Sequence, residues 1–119
     1  MGSLDLIRQA LDTASAGGKA AIATVVRTDR SVPRRIGAAM LIRDDGSRLG
    51  TVGGGEMESR VVDVAGEAMA DGRPRLLTYR LVDPSTGDPG VCGGEMDVYV
   101  EPYMNTASLL IIGAGHVGR

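Results

Sequence analysis

The chain has 119 residues, which suits a single hydrophobic core and not two. A hydrophobic fraction of 43%, a charged fraction of 24% and a net charge of -2 fit an ordinary globular domain and argue against a general nucleic-acid or membrane surface. With 18 glycines, three tyrosines and neither Trp nor Phe, the core must be aliphatic and the backbone must turn tightly in several places.

The one cysteine, Cys92, cannot close an internal disulfide, so a reducing compartment is expected. No apolar run reaches the roughly 18 residues of a membrane helix, and no charged-then-apolar leader opens the chain. A cytoplasmic protein is the expectation. Nearly all basic residues are arginines, Lys19 being the single lysine. Arginine favours planar, bidentate anion contacts, although a GC-rich genome gives the same bias.

In chain order, Ser3 reads as a helix N-cap, with Leu4, Ile7, Leu11 and Ala14 at helical spacing and Gly17-Gly18 as the stop. "AAIATVV", residues 20–26, is a continuous apolar run and reads as a buried strand. Residues 27–37 are polar, contain Pro33 and read as a loop. "AAMLI", "RDDGS" and "RLGTV" predict a hairpin turning at Asp45-Gly46. A second helix follows the glycines at 53–55 and runs to Gly72, with Val61, Val62, Ala65 and Met69 on one face. Residues 75–81 alternate like a strand, 82–90 hold two prolines and two glycines and read as a surface loop, and 95–101 alternate again before Pro102 ends the strand. The expected fold is α/β: a mixed sheet of about five strands with two main helices.

The last residues, "LLIIGAGHVGR", run an apolar strand into Gly113, Gly115 and Gly118, the spacing of a dinucleotide-binding turn. The helix, second strand and acidic residue that complete such a unit cannot fit before Arg119, so NAD(P) binding is not expected here. Residues 105–119 read as the first strand and turn of a Rossmann-like domain, and residues 1–104 as the domain before it. An exposed "LLII" strand also invites pairing, so a homodimer is expected.

The chain repeats itself once. "TVGGGEMES" at 51–59 and "GVCGGEMDV" at 90–98 align so that Gly54, Gly55, Glu56 and Met57 match Gly93, Gly94, Glu95 and Met96, and Glu58 meets Asp97. Gly53 in the first copy stands where Cys92 stands in the second. Consecutive glycines let backbone amides converge on an anion, so the two loops read as a paired ligand site facing one cleft. The alternative is two tight turns in which backbone packs on backbone.

Around this repeat, Arg27, Arg30, Arg34 and Arg35 cluster about Ser31 and a stiffening Pro33. They suit phosphate recognition, or a solvated charged loop. Cys92 reads either as a small buried residue or as a thiolate stabilised by glycine amides, a soft ligand. Glu56 and Glu95 read as acid–base carboxylates, as hydrogen-bonding partners of a heterocycle, or as caps of the loop exits. No zinc motif is present.

Taken together, "SVPRRIGAAMLI", "GTVGGGEMES", "CGGEMDVYVEP" and "LLIIGAGHVG", in this order and spacing, closely resemble the xanthine dehydrogenase accessory protein family, XdhC/CoxI. The resemblance covers nearly the whole chain. It implies a cytoplasmic chaperone that binds the molybdenum cofactor, a molybdopterin with or without a nucleotide, and protects its sulfurated form. The cofactor would then be inserted into a molybdoenzyme apoprotein of the xanthine dehydrogenase or CO dehydrogenase type. A cysteine desulfurase is a further implied partner. The implied cofactor-binding residues are Ser31, Arg34, Arg35, Gly53, Gly54, Gly55, Glu56, Cys92, Gly93, Gly94 and Glu95, with Cys92 near the molybdenum or its sulfur. No catalytic residue is implied. Two other functions fit the residues: a fragment of an NAD(P)-dependent oxidoreductase, and a non-catalytic docking module for a partner enzyme.

Overall fold

The computed structural model describes residues 3–29, 36–80 and 94–105. Helix α1 (Ser3–Ser15) precedes strands β1 (Lys19–Thr28), β2 (Ala39–Arg43) and β3 (Arg48–Gly50). Helix α2 (Gly55–Asp71) and strands β4 (Arg75–Arg80) and β5 (Glu95–Met104) follow. The strands form one sheet in the order β3-β2-β1-β5-β4. Every described pairing is antiparallel, where the sequence left the sheet mixed.

The period-2 alternation of the strands decides which side chains meet which helix. Ala21, Ala23 and Val25 of β1 join Met96, Val98 and Val100 of β5 on one face. There α2 covers them with Met57, Val61, Ala65, Ala68 and Met69. Those five residues form one helical stripe, and the helix stops at Gly72, whose left-handed backbone returns its N–H to the Ala68 carbonyl at 2.8 Å. On the opposite face, Ala20 and Ile22 of β1 and Leu41 of β2 meet Leu6 and Ala10 of α1.

Helix α1 therefore does not bury the stripe its spacing suggests. Leu4 and Leu11 are 67% and 53% exposed and Ile7 is exposed as well, whereas Leu6, Ala10 and Ala14 face inward. In this orientation Arg43 donates from Nη2 to Gln9 Oε1 at 2.9 Å and from Nε to Thr13 Oγ1 at 3.1 Å.

Strand β5 also runs through Pro102 to Met104, past the expected stop. Strand β4 begins opposite Val100, so among the described residues Pro102 is paired with Ala21 of β1 alone. A sheet accepts a residue without an N–H where one side of the strand is open. The Asp45-Gly46 turn forms as expected: the Ser47 amide donates to Asp45 Oδ1 at 2.8 Å and the Arg43 amide to the Ser47 carbonyl at 2.9 Å.

The registers give the sheet two unlike ends. Thr28 pairs with Met96, Thr24 with Ala39, Met40 with Gly50, and Arg80 with Glu95. The ends of β1, β3 and β4 and the starts of β2 and β5 therefore lie together. The connections 29–38, 51–54 and 81–94 all leave from that end, and α2 starts there too. The short turns at 16–18, 44–47 and 72–74 occupy the other.

Candidate functional site

This topology roots the connections that carry the candidate residues at one sheet end. Ser31, Arg34 and Arg35 lie in the connection rooted at Asp29 and Ile36, and Cys92 and Gly93 in the one rooted at Arg80 and Gly94. These five residues lie outside the described residues, as does the 106–119 segment with its glycine turn. Gly53, Gly54, Gly55, Glu56, Gly94 and Glu95 are described.

The first glycine loop already holds an anion. The amides of Val52, Gly53 and Gly54 donate to Glu58 Oε2 at 3.0, 3.2 and 2.9 Å, and the Thr51 hydroxyl donates to the same oxygen. Thr51 Oγ1 in turn accepts the Gly53 amide at 2.9 Å. Consecutive amides can converge in this way because Gly53, Gly54 and Gly55 all take positive φ, 82° at Gly54, where a side chain would be strained. Partial burial works to raise the Glu58 pKa, but the Thr51 hydroxyl and three amides outweigh it and hold the carboxyl below its ordinary value. Outside the loop there is room: a Cβ placed on Gly54 or Gly55 would meet nothing within 4 Å. Glu56, at the first turn of α2, is exposed to solvent.

The second copy of the repeat is built differently. It enters a strand, and its acidic pair turns sideways across the sheet. Arg27 donates from Nε to Asp97 Oδ2 at 2.8 Å and from Nη2 to Asp97 Oδ1 at 3.3 Å and Glu95 Oε1 at 3.2 Å. Arg80 Nε reaches Glu95 Oε2 at 2.8 Å, and the Thr78 hydroxyl reaches Asp97 Oδ1 at 2.8 Å. The Arg27 fork, with help from Thr78, holds the Asp97 carboxyl below its ordinary value, and the same contacts raise Arg27.

A register shift makes this network possible. Between Val25 and Arg27 the ladder slips by one residue, so that Arg27, and not Val26, faces Asp97 on the α1 side of the sheet. A bulge at a strand end re-aims side chains in this way. Arg27 was expected in the loop; it belongs to β1 and fastens the roots of both flanking connections. Sequence reasoning overlooked Glu58, Asp97, Thr78 and Arg80 as site-shaping residues. The repeat marks the first two, because both copies carry an acidic residue at the same offset from the glycines.

A cleft of about 180 Å³ opens between α1 and the sheet, lined by Leu6, Ile7, Thr24, Tyr99, Glu101 and Tyr103. Its volume is below the roughly 300–1,000 Å³ of sites for drug-sized ligands. Within it the Tyr103 hydroxyl donates to Glu101 Oε1 at 3.1 Å, and burial together with the Glu101 charge raises the Tyr103 pKa. Among the described residues, no three His, Cys, Asp or Glu side chains are grouped to hold a metal ion.

The family model described as the XdhC and CoxI family matches residues 13–80. The chain belongs to that family. The matched region runs from the end of α1 through β1, the glycine loop and α2 to the last residue of β4. Among curated proteins of Escherichia coli K12, the chain is 39% identical to the uncharacterized protein YqeB over 100 residues, 83% of this chain and 18% of that protein. It is 29% identical to the molybdenum cofactor insertion chaperone PaoD over 107 residues, 90% of this chain and 34% of that protein. The chain thus spans about a third or less of these relatives' lengths. A crystal structure of a xanthine dehydrogenase from Bacillus halodurans superposes with a TM-score of 0.67 at 26% identity, covering 86% of this chain and 30% of that one. The α/β arrangement of this chain is therefore shared with a solved structure. Among the described residues, no helix is long and apolar enough to cross a membrane.

Proposed function

We propose that this chain binds the molybdenum cofactor as cargo and presents it to a molybdoenzyme apoprotein of the xanthine dehydrogenase or CO dehydrogenase type. The observation that carries this reading is the convergence of the three connections at one end of the sheet, beside the N-terminus of α2. It is supported by membership of the XdhC and CoxI family and by similarity to a protein named as a molybdenum cofactor insertion chaperone.

The chemistry at that end fits such a cargo. The terminal phosphate suits Arg34 and Arg35, whose guanidinium forks match its oxygens, with the Ser31 hydroxyl beside them. The open outer side of Gly54 and Gly55 lets a flat pterin approach the backbone, and Glu56 is the exposed carboxylate for its ring edge. Glu95, paired with Arg27 and Arg80, holds the strand ends instead. Cys92, carried between the same strand ends with Gly93 and Gly94, supplies the soft sulfur for the molybdenum or its sulfido group. On this reading residues 1–104 form the cofactor-binding domain and 105–119 begin a Rossmann-like one. The setting is the cytoplasm, a cysteine desulfurase supplies the sulfur of the sulfurated cofactor, and the apolar 109–112 run pairs with a second copy.

The test is molybdenum per chain after incubation with cofactor released from a molybdoenzyme, followed by gel filtration. Near-stoichiometric metal on the wild type and its loss in Cys92→Ser are expected. A wild-type chain that elutes without molybdenum overturns the reading.

A further inference from the structure

Among the described residues, the Glu58 carboxylate is the anion held in a glycine loop. Four donors from consecutive residues, Thr51 to Gly54, converge on its Oε2. An external phosphate would need the same amides, so while Glu58 is ionised and in place the loop is filled. The acidic residue at the same offset in the second copy, Asp97, is taken up by Arg27 and Thr78. The two acidic residues, alike in sequence position, therefore have different partners.

We propose that Glu58 is a positioning residue of the cofactor site: a built-in anion that fixes the Thr51–Gly54 turn and keeps its amides from the ligand's own phosphate. The inference rests on the cofactor reading for the identity of the ligand, but the fixing of the turn stands on the hydrogen bonds alone. A loop of consecutive positive-φ glycines has many backbone states, and holding it in one of them before ligand arrives lowers the ordering cost of binding. Placing the anion four residues beyond Gly54, on the first turn of α2, ties the turn to the helix, and the positive N-terminal dipole favours the charge there.

Two nearby carboxylates of the first copy have separate jobs. Glu56, two residues earlier, faces solvent and is available to the ligand. Glu58 faces the loop and is not.

The test empties the loop and refills it with a small anion. Amide hydrogen exchange at residues 52–54 is measured for wild type, Glu58→Ala, Glu58→Gln and the exposed helix control Glu67→Ala, each with and without sodium formate. Molybdenum loading is measured in parallel on the same preparations. Loss of charge-assisted hydrogen bonds is expected to speed exchange in Glu58→Ala by about 10- to 100-fold. Formate should restore protection and molybdenum loading in that variant while leaving wild type and Glu67→Ala unchanged. Glu58→Gln, which keeps the side-chain shape and an acceptor oxygen, should fall between, and it keeps the test decisive if the alanine variant folds poorly.

Unchanged exchange in both Glu58 variants would overturn the holding of the turn. Faster exchange with full molybdenum loading would overturn its place in the site. A wild type that takes no molybdenum would overturn the cofactor reading and any role in a cofactor site, even where exchange shows that Glu58 holds the turn.

Discussion

Arg27 and Asp97 face each other across β1 and β5 with a two-pronged contact, Nε to Oδ2 at 2.8 Å and Nη2 to Oδ1 at 3.3 Å, reached only because β1 slips by one residue after Val25. The pair sits where β1 leads into the 29–38 connection, and the Asp29 amide donates to the Glu95 carbonyl at 2.8 Å just beyond it. Arg27→Ala and Asp97→Ala should each quicken exchange at the Asp29 amide. The double variant should be little worse than either single one, since both remove the same contact. Fully additive effects would show that the fork does not hold this end. Because the pair is solvent-facing, its effect on melting should be small beside that of a core truncation.

For that core truncation, Met96 is fully buried between β1 and β4 under α2. Met96→Ala should cost about 2–5 kcal/mol in urea unfolding, from lost burial and the cavity left behind. An exposed residue of the same apolar character, Leu4, should be nearly neutral when replaced by alanine.

Gly50 and Gly54 separate two reasons for glycine. Both have positive φ, 80° and 82°, but a Cβ on Gly50 would lie 2.5 Å from the Ala39 carbonyl oxygen, whereas one on Gly54 would meet nothing within 4 Å. Gly54→Ala should therefore cost only the left-handed backbone strain, about 1–2 kcal/mol. Gly50→Ala should cost more, because β2 and β3 must also move apart. Equal losses in chemical unfolding would contradict the close approach of those strands.

Acid should weaken the fold through Asp45, Glu58, Asp71 and Asp97, the described carboxylates held below their ordinary pKa, and two of them belong to the repeat. Folded Glu58 and Asp97 have pKa values below their ordinary 4.5 and 3.8, so the unfolded chain takes up protons first as pH falls. Their contribution is complete above that range and is lost as pH drops through the lowered folded values. Urea midpoints should be flat on this account from pH 7 to about pH 5 and fall below pH 4.5. Glu58→Gln should start lower at neutral pH and lose less on acidification. A variant curve parallel to wild type would show that the Glu58 charge adds nothing to folding.

Much of this architecture was legible because strand and helix periods are written in the apolar residues. Met96, Val98 and Val100 alternate and are buried, and α2 keeps its stripe from Met57 to Met69. What escaped depends on contacts distant in sequence. Helix α1 turns Leu6 and Ala10 onto β1 and β2, which its own spacing does not show, so three exposed apolar residues passed for the inner face. The slip at Val26 leaves no composition signal, and it moved Arg27 from loop to strand. The repeat was visible, and so was the helix after one copy and the strand after the other, but a matching sequence does not reveal that Glu58 folds back on its own loop while Asp97 turns to Arg27. Ser31, Arg34, Arg35, Cys92 and Gly93 rest on sequence and on the strand ends that carry them.

The central claim is that the cofactor sits at the sheet end where three connections meet. The most direct measurement is amide hydrogen exchange across the whole chain, with and without molybdenum cofactor released from a molybdoenzyme. The account predicts new protection in 29–38, 51–56 and 81–95 and none in the turns at 44–47 and 72–74. Protection at those far turns, or molybdenum that co-elutes while all three connections exchange as before, would contradict it.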